Sequence, residues 1–387
     1  MTKKQRVYAT IKREHIDYLP SQITLADRTR DKQLHAALKL APSRTLDEYL
    51  ENHIIISLTK QDYPLFYRND RPVMAQLEKE GFCRVDDAGR VVYDDWGMGI
   101  RVGEDGFFCC FHPLENQLER TFAEKWMPPR LWDAVTAPTL AERIRKWTPP
   151  DPDAPGNYAW NERDIKQYGD EYFLMASGYF GLYERCYGML SIPTMFETVV
   201  TEPKLAEELL EKITNYKIGV ARNFLKLKLD TGHVGDDLGT QTGPFVPPKI
   251  FTELLLPQYK RLFKVYKDAG WIMSMHSCGC ITTFLPELLD AGLDVLEPVQ
   301  PCMDLPFIKK EYGAHLTFWG GIDTQRLLPF GTPEQVRTEV AEVIRLMGKG
   351  GGHIIAPSQE VMKDVPLANI VALLETIVAE RAGAHGL

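Results

Sequence analysis

His276 and Cys278 close an apolar run, Trp271-Ile272-Met273-Ser274-Met275-His276-Ser277-Cys278-Gly279. On a strand, residues i and i+2 point to the same face. The imidazole and the sulfur therefore face one way, at the strand's carboxyl end. A thiolate beside an imidazole is part of a Zn²⁺ site, but zinc normally takes at least three protein ligands. The competing reading is a buried His and a small apolar Cys at a strand end, because His-x-Cys is a short pattern.

Other polar residues follow apolar stretches in the same way: Asp236 and Asp237, Glu297 and Gln300, Asp323, and Ser358 with Gln359. Glu297, one strand further on, is a candidate third metal ligand. Cys302, just beyond that strand, is a rival, and Gln359 a further one. Cys280 turns away from Cys278 if the strand continues, and Gly279 leaves its direction open. Asp236 and Asp237 are neighbours and point to opposite faces of a strand, so one of them faces a pocket. A carboxylate in a closed pocket can serve as a general acid, or simply hold a substrate. Each of these acids also has a structural reading, capping a helix or pairing with an Arg. Tyr179, Phe180 and Trp319 suit a pocket wall and suit the core equally. His353 begins a strand, at the end away from the expected site, and is expected to be structural.

These residues need strands to carry them. Ser21–Ala26 and Ile54–Leu58 read as the first two, followed by Phe173–Ser177, the run ending in His233–Gly239, Trp271–Cys278, Asp294–Gln300, Leu316–Asp323 and His353–Gln359. Helices are expected over residues 1–20, closed by Pro20, then over Pro203–Lys228, over Lys249–Asp268 with a kink at Pro257, over Thr282–Leu289, from Thr332, and over Pro366–Ala384. Thr332-Pro333-Glu334-Gln335 has the form of a capping box. Residues 80–165 are rich in Pro, Trp, Gly and Asp with weak helical periodicity, which predicts an insertion or lid of hairpins and loops. Strand–helix alternation implies a parallel sheet, and about eight units fit the length. The expected fold is α/β: a single TIM (β/α)8 barrel over 1–387, with its site at the carboxyl ends of the strands. The chain lacks a Gly-x-Gly-x-x-Gly after a strand, which weakens a nucleotide-binding open sheet.

Composition agrees with a globular chain: 387 residues, 44% apolar, 25% charged, net charge −8 and no basic block. That argues against nucleic acid as the main partner. No apolar run approaches a membrane span, and no apolar segment follows Met1-Thr2-Lys3-Lys4 as in a signal peptide. Seven cysteines, an odd number in a large chain, fit a reducing cytoplasm better than a disulfide framework.

Five segments together resemble the uroporphyrinogen decarboxylase (URO-D) superfamily over about residues 170–380. They are Gly235-Asp236-Asp237-Leu238-Gly239, Met275-His276-Ser277-Cys278-Gly279, Glu297-Pro298-Val299-Gln300, Gly320-Gly321-Ile322-Asp323 and Gly351-Gly352-His353-Ile354-Ile355-Ala356-Pro357-Ser358. The resemblance implies a TIM barrel and one of two activities. One is metal-free decarboxylation of uroporphyrinogen. The other is zinc-assisted methyl transfer to or from a corrinoid protein, including O-demethylases of methoxylated compounds. The chain looks closer to the second branch. The decarboxylases' Gln-Ala-Gly-Arg motif is absent from Ala26-Asp27-Arg28-Thr29-Arg30-Asp31, while His-x-Cys-Gly resembles the methyltransferases' zinc motif. The Cys that coenzyme M methyltransferases carry after the last strand is replaced here by Ser358-Gln359-Glu360. By analogy with methionine synthases that pair His-x-Cys with a Glu, Glu297 becomes the expected third ligand.

The expected activity is therefore methyl transfer from a small methoxylated donor to the cobalt of a separate corrinoid protein. Zn²⁺ would sit on His276, Cys278 and Glu297, catalysis on Asp236 or Asp237, and substrate contacts on Tyr179, Gln300, Trp319, Asp323, Ser358 and Gln359. Expected partners are the donor and the corrinoid protein, with a homodimer left open. The alternatives are a polycarboxylate decarboxylase using Arg28 and Arg30, and a non-catalytic barrel that binds a corrinoid or tetrapyrrole.

Overall fold

The computed structural model describes residues 1–103 and 109–383. The first regular strand is β1 (Ile54–Ser57). An antiparallel four-stranded sheet follows, β2 (Cys83–Val85), β3 (Val91–Asp94), β4 (Gly99–Arg101) and β5 (Cys109–Phe111). The chain then returns to β6 (Phe173–Ala176), β7 (Thr231–Gly235), β8 (Ile272–His276), β9 (Val295–Val299), β10 (Thr317–Ile322) and β11 (His353–Pro357). Together with β1 these form a parallel sheet in the order β1-β6-β7-β8-β9-β10-β11, with helices between successive strands. Most of these strands are buried on both faces, as parallel strands covered by helices must be.

The eighth position of the barrel is not a regular strand. Ser21–Ala26, expected as the first strand, makes isolated parallel bridges, Ser21 with Ile355 and Leu25 with Val361. Toward β11 it still pairs through its backbone, with Gln22 N–H donating to Ile355 O and Ala26 N–H to Val361 O. Toward β1, side chains do much of the pairing: Gln22 accepts from Ile54 N–H at 3.0 Å and Asn52 from Ile23 N–H at 2.7 Å. Amide side chains that bond to a neighbouring backbone replace a regular ladder, so the segment closes the ring while falling short of a strand.

Three other expectations change. The first helix is Lys3–Lys12 and ends at Arg13 in a left-handed conformation, well before Pro20. Between 80 and 165 the chain holds real helices, including Arg120–Trp126, Leu140–Lys146 and Ala159–Tyr168. They are too short for a long apolar stripe to show; Leu140–Lys146 is set instead by a Thr139–Glu142 capping box. The Trp rings of this region are fixed in the interior, with Trp96 and Trp147 stacked at 5.9 Å and fully buried. Before Pro257 the helix passes through a π-turn, Phe251–Leu255, so the irregularity falls in the turn whose carbonyl Pro257 cannot bond. The Thr332–Gln335 capping box is present and opens the helix Pro333–Gly348. Among the described residues no helix is long and apolar enough to cross a membrane.

Candidate functional site

Register places the chemistry. Gly235 of β7 pairs with His276 of β8, and His276 with Glu297 of β9. The polar residues that end these three strands therefore lie in one row at the carboxyl end of the barrel. The loops beyond β7 and β8 then touch backbone to backbone. A Cβ on Gly279, whose φ is +85°, would lie 2.2 Å from the carbonyl carbon of Gly239. Only glycine permits this approach. Gly239 N–H donates to Cys278 O and Cys280 N–H to Thr240 O. This contact brings Asp237 against Cys278, whose N–H donates to Asp237 Oδ1 at 2.8 Å.

The result is a cluster of Asp237, His276 and Cys278, with one ligand atom from each lying within 4.8 Å of the others. His276 Nε2 is 3.5 Å from Cys278 Sγ and 3.4 Å from Asp237 Oδ1. His276 Nδ1 lies 2.6 Å from Glu297 Oε2. Glu297, expected as the third ligand, is thus behind the imidazole and fixes its orientation, while Asp237 takes the place beside the sulfur. One sulfur, one imidazole nitrogen and one carboxylate oxygen converging from three sides match the donor set that Zn²⁺ accepts. A carboxylate on the far ring nitrogen is the usual support for a metal-bound His.

Electrostatics follow from the crowding. Burial works against a charged His276, but Glu297, Asp237 and Cys278 outweigh it and hold the ring well above its ordinary value. Burial also raises Cys278, against the pull of His276. Burial would raise Asp237, yet the bonds from His276 and from Cys278 N–H bring it down. The acceptors around the ring favour its protonated form, and a cation bound among them would compete with that proton.

The other expected residues divide clearly. Asp236 points away from the cluster and is fully buried, accepting from Leu182 N–H, Glu184 N–H and Tyr259 O–H, each at 2.7 Å. Its role is structural, which corrects the catalytic expectation. Gln359 reaches the cluster, with Nε2 at 3.6 Å from Cys278 Sγ, where relatives' third Cys was expected. Tyr179 lies against it, its ring 5.5 Å from that of His276. Gln300 is spent on Gly279 N–H at 2.8 Å, and Ser358 Oγ on Val299 O at 3.1 Å. Asp323 caps its own turn through Gln325 N–H and Arg326 N–H. Trp319 packs inside the barrel with Val7, Phe173 and Ile354. Phe180 belongs to the large core, and His353 bonds Gly320 O. Cys302 Sγ lies beside Gln300 Oε1 at 3.9 Å, and Cys280 Sγ beside Thr282 Oγ1 at 3.8 Å, so the nearest partner of each lies outside the cluster.

Sequence reasoning passed over several neighbours. Glu184 accepts from Tyr187 O–H at 3.0 Å. Burial and then the charges of Asp237 and Asp236 hold its carboxyl well above the usual range. A Glu-x-x-Tyr spacing at the start of a helix after β6 was the available signal. Glu360 adjoins Gln359, and burial raises it. Phe66 lies 5.2 Å from the Tyr179 ring, and Tyr67 stacks on Tyr63 at 3.9 Å. These rings come from the short helix Tyr63–Tyr67 that follows β1.

Fold and site together define a βα barrel with a thiol–imidazole–carboxylate cluster where the strands end. The chain belongs to the uroporphyrinogen decarboxylase (URO-D) family, whose model matches residues 186–379. It is 26% identical over 191 residues to a uroporphyrinogen decarboxylase of Chlorobium luteolum, which covers 48% of this chain and 52% of that protein. It is 23% identical over 185 residues to the methylated-thiol–coenzyme M methyltransferase of Methanosarcina mazei, covering 47% of this chain and 46% of that one. The matches thus span about half the length of these curated relatives. A solved methyltransferase from Methanosarcina mazei has the same fold, with a TM-score of 0.58 over 98% of this chain and 99% of that one at 15% identity.

Proposed function

We propose that the chain is a methyltransferase that moves a methyl group from a small methoxylated donor to the cobalt of a separate corrinoid protein. The observation that carries this reading is the convergence of Asp237, His276 and Cys278, a donor set suited to Zn²⁺. Zn²⁺ held there would supply a Lewis acid that draws charge from the donor oxygen. The chain's own residues do the positioning. Glu297 holds His276 so that Nε2 faces the thiol. Gln359 donates to the sulfur, and Tyr179 covers the cluster from one side.

A polycarboxylate decarboxylase is less well supported. Its carboxylate-binding arginines were expected at Arg28 and Arg30. Arg28 is engaged at the surface by Asp31 and Asp47, each at 2.8 Å. Arg30 donates to the carbonyls of Lys363 and Val365.

The test is purified protein with a reduced corrinoid protein and a series of methoxylated donors. Demethylated product is expected from at least one donor, in the wild type and not in Cys278→Ser. No product from any donor, together with release of CO₂ from a porphyrinogen, would favour the decarboxylase.

A further inference from the structure

We infer that the outer wall of the barrel carries a self-association face, on which two copies of this chain pair their helices Pro333–Gly348 antiparallel about a two-fold axis. A groove of about 860 Å³ runs between the start of the helix Leu305–Tyr312 and the second half of Pro333–Gly348. None of Asp237, His276 and Cys278 lines it, so the inference stands apart from the reading of that cluster. The helix Pro333–Gly348 buries Val336, Val340, Ile344 and Met347. Beside them it sets a smaller apolar strip, Val343 and Leu346, along the groove. Leu346 is 36% exposed, and Phe307, next to the lining residue Pro306, is 43% exposed. Single apolar residues on a surface are ordinary, but these gather on one groove.

Charge identifies what covers it. Glu339, Glu342, Arg345 and Lys349 all line the groove and are all exposed. Among the described residues none of the four makes a side-chain hydrogen bond or an ion pair. Elsewhere on the same helix the charges are matched, as Arg337 is by Glu375 at 3.0 Å. Glu339, Glu342, Val343 and Leu346 recur three or four residues apart, so they share one face. That face is acidic toward its start, apolar in the middle and basic at its end. An antiparallel copy presents the same order reversed. With the axis beside Ile344, halfway between Glu339 and Lys349, Glu339 of one copy faces Lys349 of the other, and Glu342 falls beside the other copy's Arg345. Val343 and Leu346 meet across the axis. Parallel pairing would set Glu339 against Glu339 and Lys349 against Lys349. An isologous contact needs such a self-complementary face, in which each residue pair occurs twice.

Sedimentation of the full chain at about 50 µM and about 0.1 M salt reads the association. The wild type is expected as a dimer. Glu339→Lys and Lys349→Glu should each weaken it at least about tenfold, since each sets two like-charged pairs across the axis. Mixed one to one, these two variants should associate again, because both cross-axis pairs are then of opposite sign. Leu346→Glu should also weaken the wild-type dimer, by placing an acid against Glu342 of the other copy. A monomeric wild type would overturn the inference, as would single charge variants that stay dimeric, or a mixture of the two that stays monomeric.

Discussion

Asp236 and Asp237 are adjacent in sequence and do opposite work. Asp237 lies in the cluster, whereas Asp236 satisfies three donors in the core. Removing Asp236 by alanine leaves those donors without an acceptor and is expected to cost about 3 kcal/mol or more, read as a shift in the urea midpoint. Asp237→Ala should leave stability much closer to the wild type. Equal destabilisation by both would contradict the division. Glu297→Gln should keep the metal but weaken its affinity about 10–100-fold, because the amide still reaches the imidazole without its charge, and competition with a chelator measures this. Strand alternation already said that one of the two acids faces a pocket. It did not say which, because that depends on where the loops after β7 and β8 meet, and the Gly239–Gly279 contact is not local in sequence. Glu297 was misplaced for a related reason. Its register beside His276 was legible, but a His has two nitrogens, and the spacing does not say which of them a neighbour takes.

Among the elements, the segment that closes the ring is the least regular, and His53 pins it. His53 Nδ1 lies 3.1 Å from Ser21 O, and Nε2 accepts from Arg6 Nη1 at 3.1 Å. Burial, and then the charge of Arg6, push its pKa down to about 3. A His depressed in the folded state binds its proton more tightly when unfolded. Its stabilising contribution is therefore full above about pH 6.5 and is lost as the pH falls toward about 3, by up to about 1.4 kcal/mol per pH unit. In His53→Gln that slope is absent, so urea midpoints across this range should converge on the wild type's as pH drops. Parallel curves would contradict the role. The strands from β6 to β11 were legible because each is an apolar run bounded by Gly, Pro or charge. Ser21–Ala26 was legible as chain in that place but not as an irregular closure, because the pairing side chains lie about thirty residues away, at Asn52 and His53.

At the scale of the whole molecule, buried charge joins the antiparallel sheet to the barrel. Arg185, on the helix after β6, is 1% exposed and lies 3.4 Å from Asp62 and 3.5 Å from Asp94 at the end of β3. Its guanidinium sits 4.2 Å from the ring of Trp96. Arg185→Ala leaves two buried acids facing each other's elements and is expected to destabilise by about 3–5 kcal/mol, measured by chemical denaturation. A loss below about 1 kcal/mol, as at a surface pair, would mean that the sheet is held by apolar packing alone. The composition of residues 80–165 announced a change of character but not this junction, since an ion pair between residues so far apart leaves no trace in periodicity.

The proposed chemistry requires that Asp237, His276 and Cys278 hold a metal ion. Metal content by mass spectrometry tests it directly, on the protein as purified and on Cys278→Ser, Asp237→Ala and Asp236→Asn. About one zinc per chain is predicted in the wild type, retained in Asp236→Asn and lost in the other two. No metal in the wild type after zinc is supplied, or zinc that survives Cys278→Ser, would contradict a metal site here and leave the three side chains as a hydrogen-bonded cluster.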